Sequence, residues 1–294
     1  MKSDFFCFKK IYLYFFIFIS IIFLNIKIIY NKFPLTMESK AAEKNIIGGT
    51  CVNFGDYPYF VGLALNRPNR LPFENYFCGG TLISPYYVIT AEHCINGIFA
   101  QVNGWIKEDI KKGGIDPTPT PMTLDGIVAY ANFTDLNQMT RAYQSKIESK
   151  MSLGFYDLSL LKLKYPINIA KYPSLPKDYS YYNLQREFTL LGFGEGKLNN
   201  NSSLIYPSNC LNIAKQKIIG EAPGIFTGKS TDNSLCKKDS GGPAIVKELD
   251  RDILIGVSTD KIGPCEPNVN NIYAKTRQSY FFSNTIDKIM RTIK

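Results

Sequence analysis

The chain of 294 residues contains one histidine, His93, so any imidazole base must be that residue. No run of Lys and Arg is interleaved with aromatics, which excludes a nucleic-acid binder of the basic-patch kind. No internal repeat appears, which argues against a solenoid. Low complexity is confined to the turn-like Asp116-Pro-Thr-Pro-Thr-Pro. The longest apolar run, Ile11 to Leu24, has fourteen residues and is interrupted by Ser20. Asn25 and Lys27 end it short of the ~20 apolar residues of a spanning helix.

What is present divides unevenly along the chain. Lys9 and Lys10 precede the apolar run, giving a charged region and a hydrophobic region of secretory-signal length. No small-x-small cleavage pattern follows, so residues 1–25 are a signal peptide or, alternatively, an uncleaved signal anchor that tethers the protein to a membrane. Residues 26–45 are assigned to a pro-segment, of which 31–45 are polar, lack periodicity and read as a short pro-segment or linker. The remaining domain, 46–294, is expected outside the cell. The formal charge is +9; seven Lys and three acids in residues 1–45 account for +4 of it, leaving +5 for the domain. A surface so mildly basic is weak grounds for an acidic partner. Apolar residues make up 45%, enough for a substantial core. Of seven cysteines, Cys7 lies in the leader, and Cys51, Cys78, Cys94, Cys210, Cys236 and Cys265 remain. Six cysteines suit an oxidising compartment and allow about fifteen pairings, among which spacing cannot choose. Asn132-Phe-Thr, Asn200-Asn-Ser and Asn201-Ser-Ser are glycosylation acceptors in a secreted chain.

From Ile46 onward short apolar or alternating runs are broken by Gly, Pro, Asn and Asp. Val61–Leu65, Gly80–Thr90, Gly126–Tyr130, Leu158–Leu163, Phe188–Gly192, Ala244–Val246 and Ile253–Val257 read as strands. Many strands without helical patterns between them predict an all-β sandwich or barrel. Ile286, Ile289, Met290 and Ile293 follow helical spacing and predict one closing α-helix. Residues 134–156 and 107–121 read as long loops.

Three segments carry chemistry together: Thr90-Ala-Glu-His-Cys94, Asp157-Leu-Ser-Leu-Leu161 and Lys238-Asp-Ser-Gly-Gly-Pro243. Amide hydrolysis by a serine needs a base for the hydroxyl proton and a carboxylate to hold that base in the right tautomer. Singly, a lone histidine, an aspartate before a strand and a Ser-Gly-Gly turn are all ordinary structural features. In the order His93, Asp157, Ser240 they match one of the known chain orders of such triads.

With these segments the sequence resembles the trypsin-like serine endopeptidases. Ile46-Ile-Gly-Gly49 resembles the family's new N-terminus after activation, and Cys78-Gly-Gly-Thr-Leu-Ile the strand leading to the histidine. Ile127-Val-Ala-Tyr, Leu160-Leu-Lys-Leu and Gly192-Phe-Gly194 resemble further family segments. The resemblance implies two six-stranded antiparallel β-barrels with a C-terminal helix and a triad in the cleft between the barrels. It implies the disulfides Cys51–Cys210, Cys78–Cys94 and Cys236–Cys265. One histidine and paired cysteines would then leave no metal cluster, so no metal or cofactor is expected. It also implies an inactive precursor that becomes active when cleavage frees the Ile46 amine to pair with Asp239. Asn45, not Lys or Arg, precedes Ile46, so the activating protease must cut after asparagine or be followed by trimming. The expected partners are protein or peptide substrates, an activating protease and protein inhibitors, and the chain is expected to be a monomer.

The sequence departs from the family pattern at several positions. Lys238 stands where Gly is usual, two residues before the nucleophile, and its N–H and that of Ser240 would form the oxyanion hole. A Lys there threatens that hole, so the alternative to a peptidase is a catalytically weak homologue acting as a secreted binding protein. Glu92 replaces a common Ala beside the histidine, and Thr259 stands where a Trp often lies. The specificity pocket maps to Ser234 at its floor with Ser258, Asp260 and Asn271 at its walls. A Ser floor predicts an uncharged side chain before the scissile bond, chymotrypsin- or elastase-like rather than tryptic. Asn271 would shorten the pocket, and Asp260 could instead attract a basic group.

Overall fold

The computed structural model describes residues 46, 48–67, 69–98, 123–153, 156–197, 205–207, 209–277 and 288. The predicted signal peptide and pro-segment, residues 107–121, Asn200, Asn201 and all but Lys288 of the predicted closing helix lie outside these residues.

Strand β1 (Thr50–Cys51) precedes a first barrel of β2 (Phe60–Leu65), β3 (Tyr76–Ser84), β4 (Tyr87–Ala91), β5 (Ile127–Ala131), β6 (Tyr143–Ser152) and β7 (Leu158–Leu163). These six close in the order β2-β3-β4-β7-β6-β5, every pair antiparallel. The second half contains β8 (Glu187–Gly192), β9 (Glu195–Lys197), β10 (Ile205–Pro207), β11 (Asn212–Ala222), β12 (Ile225–Lys229), β13 (Pro243–Glu248), β14 (Arg251–Ile262) and β15 (Asn270–Lys275). β8 pairs with both β13 and β11, closing the ring β8-β11-β12-β15-β14-β13. β1 is added at β11, and β9 pairs with β10. The fold is therefore the two six-stranded antiparallel barrels expected from the sequence, and closure leaves few open strand edges.

Each barrel fills its interior with inward-facing side chains. Val61, Leu63, Leu82, Val88, Leu161 and Leu163 are buried in the first. In the second, the rings of Phe188, Phe226 and Tyr273 pack with centroids 5.0–5.4 Å apart. Each such side chain contributes about 1.5–3 kcal/mol by leaving water. Phe193, just after β8, joins the two halves: its ring lies 5.6 Å from Phe60, 5.7 Å from Tyr76 and 5.4 Å from Phe133, all in the first half.

Two sequence expectations change. The run Gly80–Thr90 is two strands, because Pro85 and Tyr86 form the turn between β3 and β4. Proline fixes φ for a turn and cannot donate to a ladder. Residues 134–156 are not one loop but hold a 3₁₀ turn, Leu136–Arg141, and all of β6. β6 turns only Ser145 and Ile147 fully inward, so its sequence lacks an apolar stripe.

Candidate active site

Strand β4 delivers the chain directly into a short helix over 92–98, which places His93 at the first barrel's rim. Asp157 lies just before β7, where β7 pairs with β4, so the hydrogen-bond ladder sets the two side by side. Asp157 binds the histidine segment three times. Its carbonyl accepts from Glu92 N–H at 3.2 Å, its Oδ1 accepts from His93 N–H at 2.7 Å, and its Oδ2 lies 2.6 Å from His93 Nδ1. A carboxylate only accepts, so this contact assigns the ring proton to Nδ1 and leaves Nε2 with a free lone pair. Asp157 has a positive φ of 57°, the conformation Asp tolerates better than most residues. Glu92 does not compete for the imidazole. Its carboxylate accepts from Ser152 Oγ at 2.6 Å and from Lys150 Nζ at 3.5 Å, tying the helix to β6.

Ser240 comes from the second barrel, in the segment before β13, and β3 of the first barrel holds that segment. Gly79 N–H donates to the Ser240 carbonyl at 2.8 Å. Gly79 has to be glycine, since a Cβ there would lie 2.9 Å from Gly242 Cα. One residue earlier, Cys78 is bonded to Cys94, the neighbour of His93. These links bring the Ser240 backbone beside the His93 segment. Ser240 Oγ itself points to the Thr259 carbonyl, 3.4 Å away, and no hydrogen bond joins it to His93 Nε2. Asp239 is buried, and its two carboxylate oxygens accept from Gly194 N–H at 2.8 Å and Cys236 N–H at 2.9 Å. A buried carboxylate needs such donors to offset its lost hydration. The Gly192-Phe-Gly194 turn is thereby coupled to the residue beside Ser240. A Cβ on Gly192 would strike Asp239 Oδ1.

A hydroxyl, an imidazole fixed by a carboxylate, and a loop pinned between two barrels suit acyl transfer. A family model described as Trypsin matches residues 46–281. The chain belongs to the trypsin family. It is similar to a protein named Trypsin from Saccharopolyspora erythraea, 26% identical over 243 residues, a span of 80% of this chain and 95% of that protein. As a member of the trypsin family it is a serine endopeptidase, and its substrates are proteins or peptides.

A cavity of about 240 Å³ opens beside Ser240, lined in part by Cys236, Lys237, Thr259, Asp260 and Lys261. Of the four sequence-predicted pocket residues only Asp260 lines it. Ser234 and Asn271 are fully buried. Asn271 Oδ1 accepts from Leu235 N–H at 3.0 Å and lies 3.0 Å from Ser234 Oγ, while Asn271 Nδ2 donates to Val269 O at 3.2 Å. Ser234 and Asn271 are thus bonded to each other and stand outside the cavity's lining. Ser258 is also buried, its Oγ 3.0 Å from Asp239 O and 2.8 Å from Gly242 O, so it holds the turn that carries Ser240. The β14–β15 register shifts between Ser258 and Asp260, so Thr259 sits in a bulge that aims its carbonyl at Ser240.

The remaining candidate residues of this trypsin-family chain are placed as follows. The cysteines are joined as Cys51–Cys210, Cys78–Cys94 and Cys236–Cys265. Ile46 is buried with the second barrel's core. Asn132 is half-buried at a left-handed turn, φ 59°, and its N–H donates to Pro58 O. Cys78, His93 and Cys94 bring their side-chain donor atoms within 4.8 Å of one another, but a disulfide offers no thiolate for a metal. Among the described residues no helix is long and apolar enough to cross a membrane.

Proposed function

We propose that the chain hydrolyses peptide bonds through Ser240, His93 and Asp157. Rotation of Ser240 about its Cα–Cβ bond exchanges the Thr259 carbonyl for His93 Nε2. Ser240 Oγ then attacks the scissile carbonyl carbon while Nε2 takes its proton. The backbone N–H groups of Lys238 and Ser240 hold the oxyanion. The imidazolium passes its proton to the leaving nitrogen as the C–N bond breaks, leaving an acyl-enzyme. Water adds to the ester with its proton going to Nε2, and Ser240 is released on collapse. The observation that carries this reading is the His93 Nδ1–Asp157 Oδ2 contact of 2.6 Å, which leaves Nε2 unprotonated. Ser240→Ala and His93→Ala should each lower kcat on the order of 10⁶-fold with the fold intact by circular dichroism. Retention of ordinary turnover in either variant contradicts the assignment.

The cavity, whose lining lacks Ser234, supports a preference for a small, uncharged side chain before the scissile bond, the elastase-like end of the expected range. Asn271 closes off depth, and Lys237 and Lys261 at the lining outnumber Asp260, which disfavours Lys or Arg. Peptide-library profiling should rank Ala and Val above Phe and far above Arg.

Activation is proposed to follow cleavage before Ile46 by a protease that cuts after asparagine, or by cutting and trimming. Cleavage would turn the Ile46 amide nitrogen into an ammonium. In this reading the ammonium pairs with Asp239, a buried carboxylate. The disulfides and the sequence of residues 1–25 support a secreted chain, open to protein inhibitors. N-terminal sequencing of active material tests the cut: any start other than Ile46 removes the Ile46–Asp239 pairing.

A further inference from the structure

The nucleophile turn carries a strain that an element 162 positions away in the sequence holds in place. Asp239 N–H donates to Cys236 O at 3.3 Å, closing a four-residue turn over Cys236-Lys237-Lys238-Asp239. Of its two middle residues only Lys238 has a positive φ, 69°. That is the sign a type II turn demands at its third residue and which glycine adopts freely. A lysine there is disfavoured roughly tenfold in population against right-handed backbone. The carbonyl of Lys238 accepts a hydrogen bond from Tyr76 Oη at 3.1 Å. Tyr76 is buried, and its ring packs edge-on against Phe193 at 5.7 Å, so its hydroxyl has a fixed position. Burial first, and then the nearby Asp239 carboxylate, hold its phenol well above its ordinary pKa, so it remains a donor. Tyr76 opens β3, the strand whose Gly79 N–H grips Ser240 O. One strand of the first barrel therefore holds two carbonyls of the nucleophile segment, at 238 and at 240.

We propose that Tyr76 is a positioning residue for the oxyanion hole, its hydroxyl fixing the 238–239 peptide so that Lys238 keeps its left-handed conformation. The inference rests on the proposed use of the Lys238 and Ser240 N–H groups. The 238–239 peptide lies between those two donors, and relaxation of φ at Lys238 toward negative values swings one donor relative to the other. Two ties hold the peptide at its two ends: the Tyr76 hydroxyl on its oxygen and Cys236 O on its N–H. Removing the first frees a residue with a standing drive to relax. With glycine at 238 that drive is absent, so the need for Tyr76 should fall.

A double-mutant cycle on the chain cut before Ile46 tests this. Tyr76→Phe should lower kcat about tenfold or more, up to the 100- to 1000-fold loss of one oxyanion donor, with KM little changed. The Ki of a peptidyl aldehyde, whose adduct oxygen occupies the oxyanion hole, should rise by the same factor. In a Lys238→Gly background the same substitution should cost about threefold or less. An unchanged kcat in Tyr76→Phe, or an equal loss in both backgrounds, overturns the inference and leaves the catalytic assignment standing. A parent chain that neither turns over peptides nor binds the aldehyde overturns both. Were Tyr76→Phe not to fold, Lys238→Gly alone still decides. It should raise the denaturant midpoint, because glycine meets the positive φ without strain, and an unchanged or lower midpoint would show that lysine at 238 is not the strained member.

Discussion

At the residue scale the site depends on which atom carries each proton. Asp157→Asn preserves shape but offers an N–H where an acceptor is needed, so it stabilises the wrong tautomer of His93. It should lower kcat on the order of 10⁴-fold with little change in stability, measured by steady-state kinetics and denaturant midpoint. Asn271 tests the pocket in the same way. Asn271→Gly removes the amide bonded to Ser234 and should deepen the cavity beside Ser240. The ratio of kcat/KM for Phe over Ala before the scissile bond should rise about tenfold or more. An unchanged ratio would show that depth is set elsewhere.

At the element scale, β6 explains why Glu92 differs from the family's usual residue. Its carboxylate binds Ser152 and Lys150 of β6, whose side chain, like that of Glu92, is 21% exposed. Glu92→Ala should cost about 1 kcal/mol of stability, read from a urea midpoint, while kcat stays near the parent value. The same strand shows what the sequence could reveal. β2, β7, β8, β13 and the core of β14 are legible as apolar runs. The triad segments are legible because each packs its chemistry into five or six contiguous residues. β6, β11 and β15 are hidden because polar residues face inward. Gln216 of β11 is buried and paired with Asn233 and Tyr273, and β15 buries Asn271 and Lys275. A period-2 pattern counts such residues as outward, and their partners lie far off in sequence. The hold of Tyr76 on Lys238 is invisible for the same reason. The pairing of Ser234 with Asn271 also needed coordinates, since two buried polar residues facing one another carry no linear pattern.

At the scale of the whole molecule, the proposed catalysis depends on the two barrels being held together. Their ties are β3 on the nucleophile segment, Phe193 in the first barrel's aromatic cluster, and the Cys51–Cys210 bond, which spans 159 positions. Closing so long a loop is worth about 5 kcal/mol by loop entropy. The double variant Cys51→Ser, Cys210→Ser should therefore lower unfolding free energy by up to that amount in denaturant titration. The account as a whole rests on Ser240 being a nucleophile activated by His93. The most direct measurement is mass-spectrometric mapping of a fluorophosphonate adduct on the chain cut before Ile46. The adduct should fall on Ser240 alone, be lost in His93→Ala, and be far weaker in the uncut chain. An adduct elsewhere, or none on the cut chain, would contradict the account.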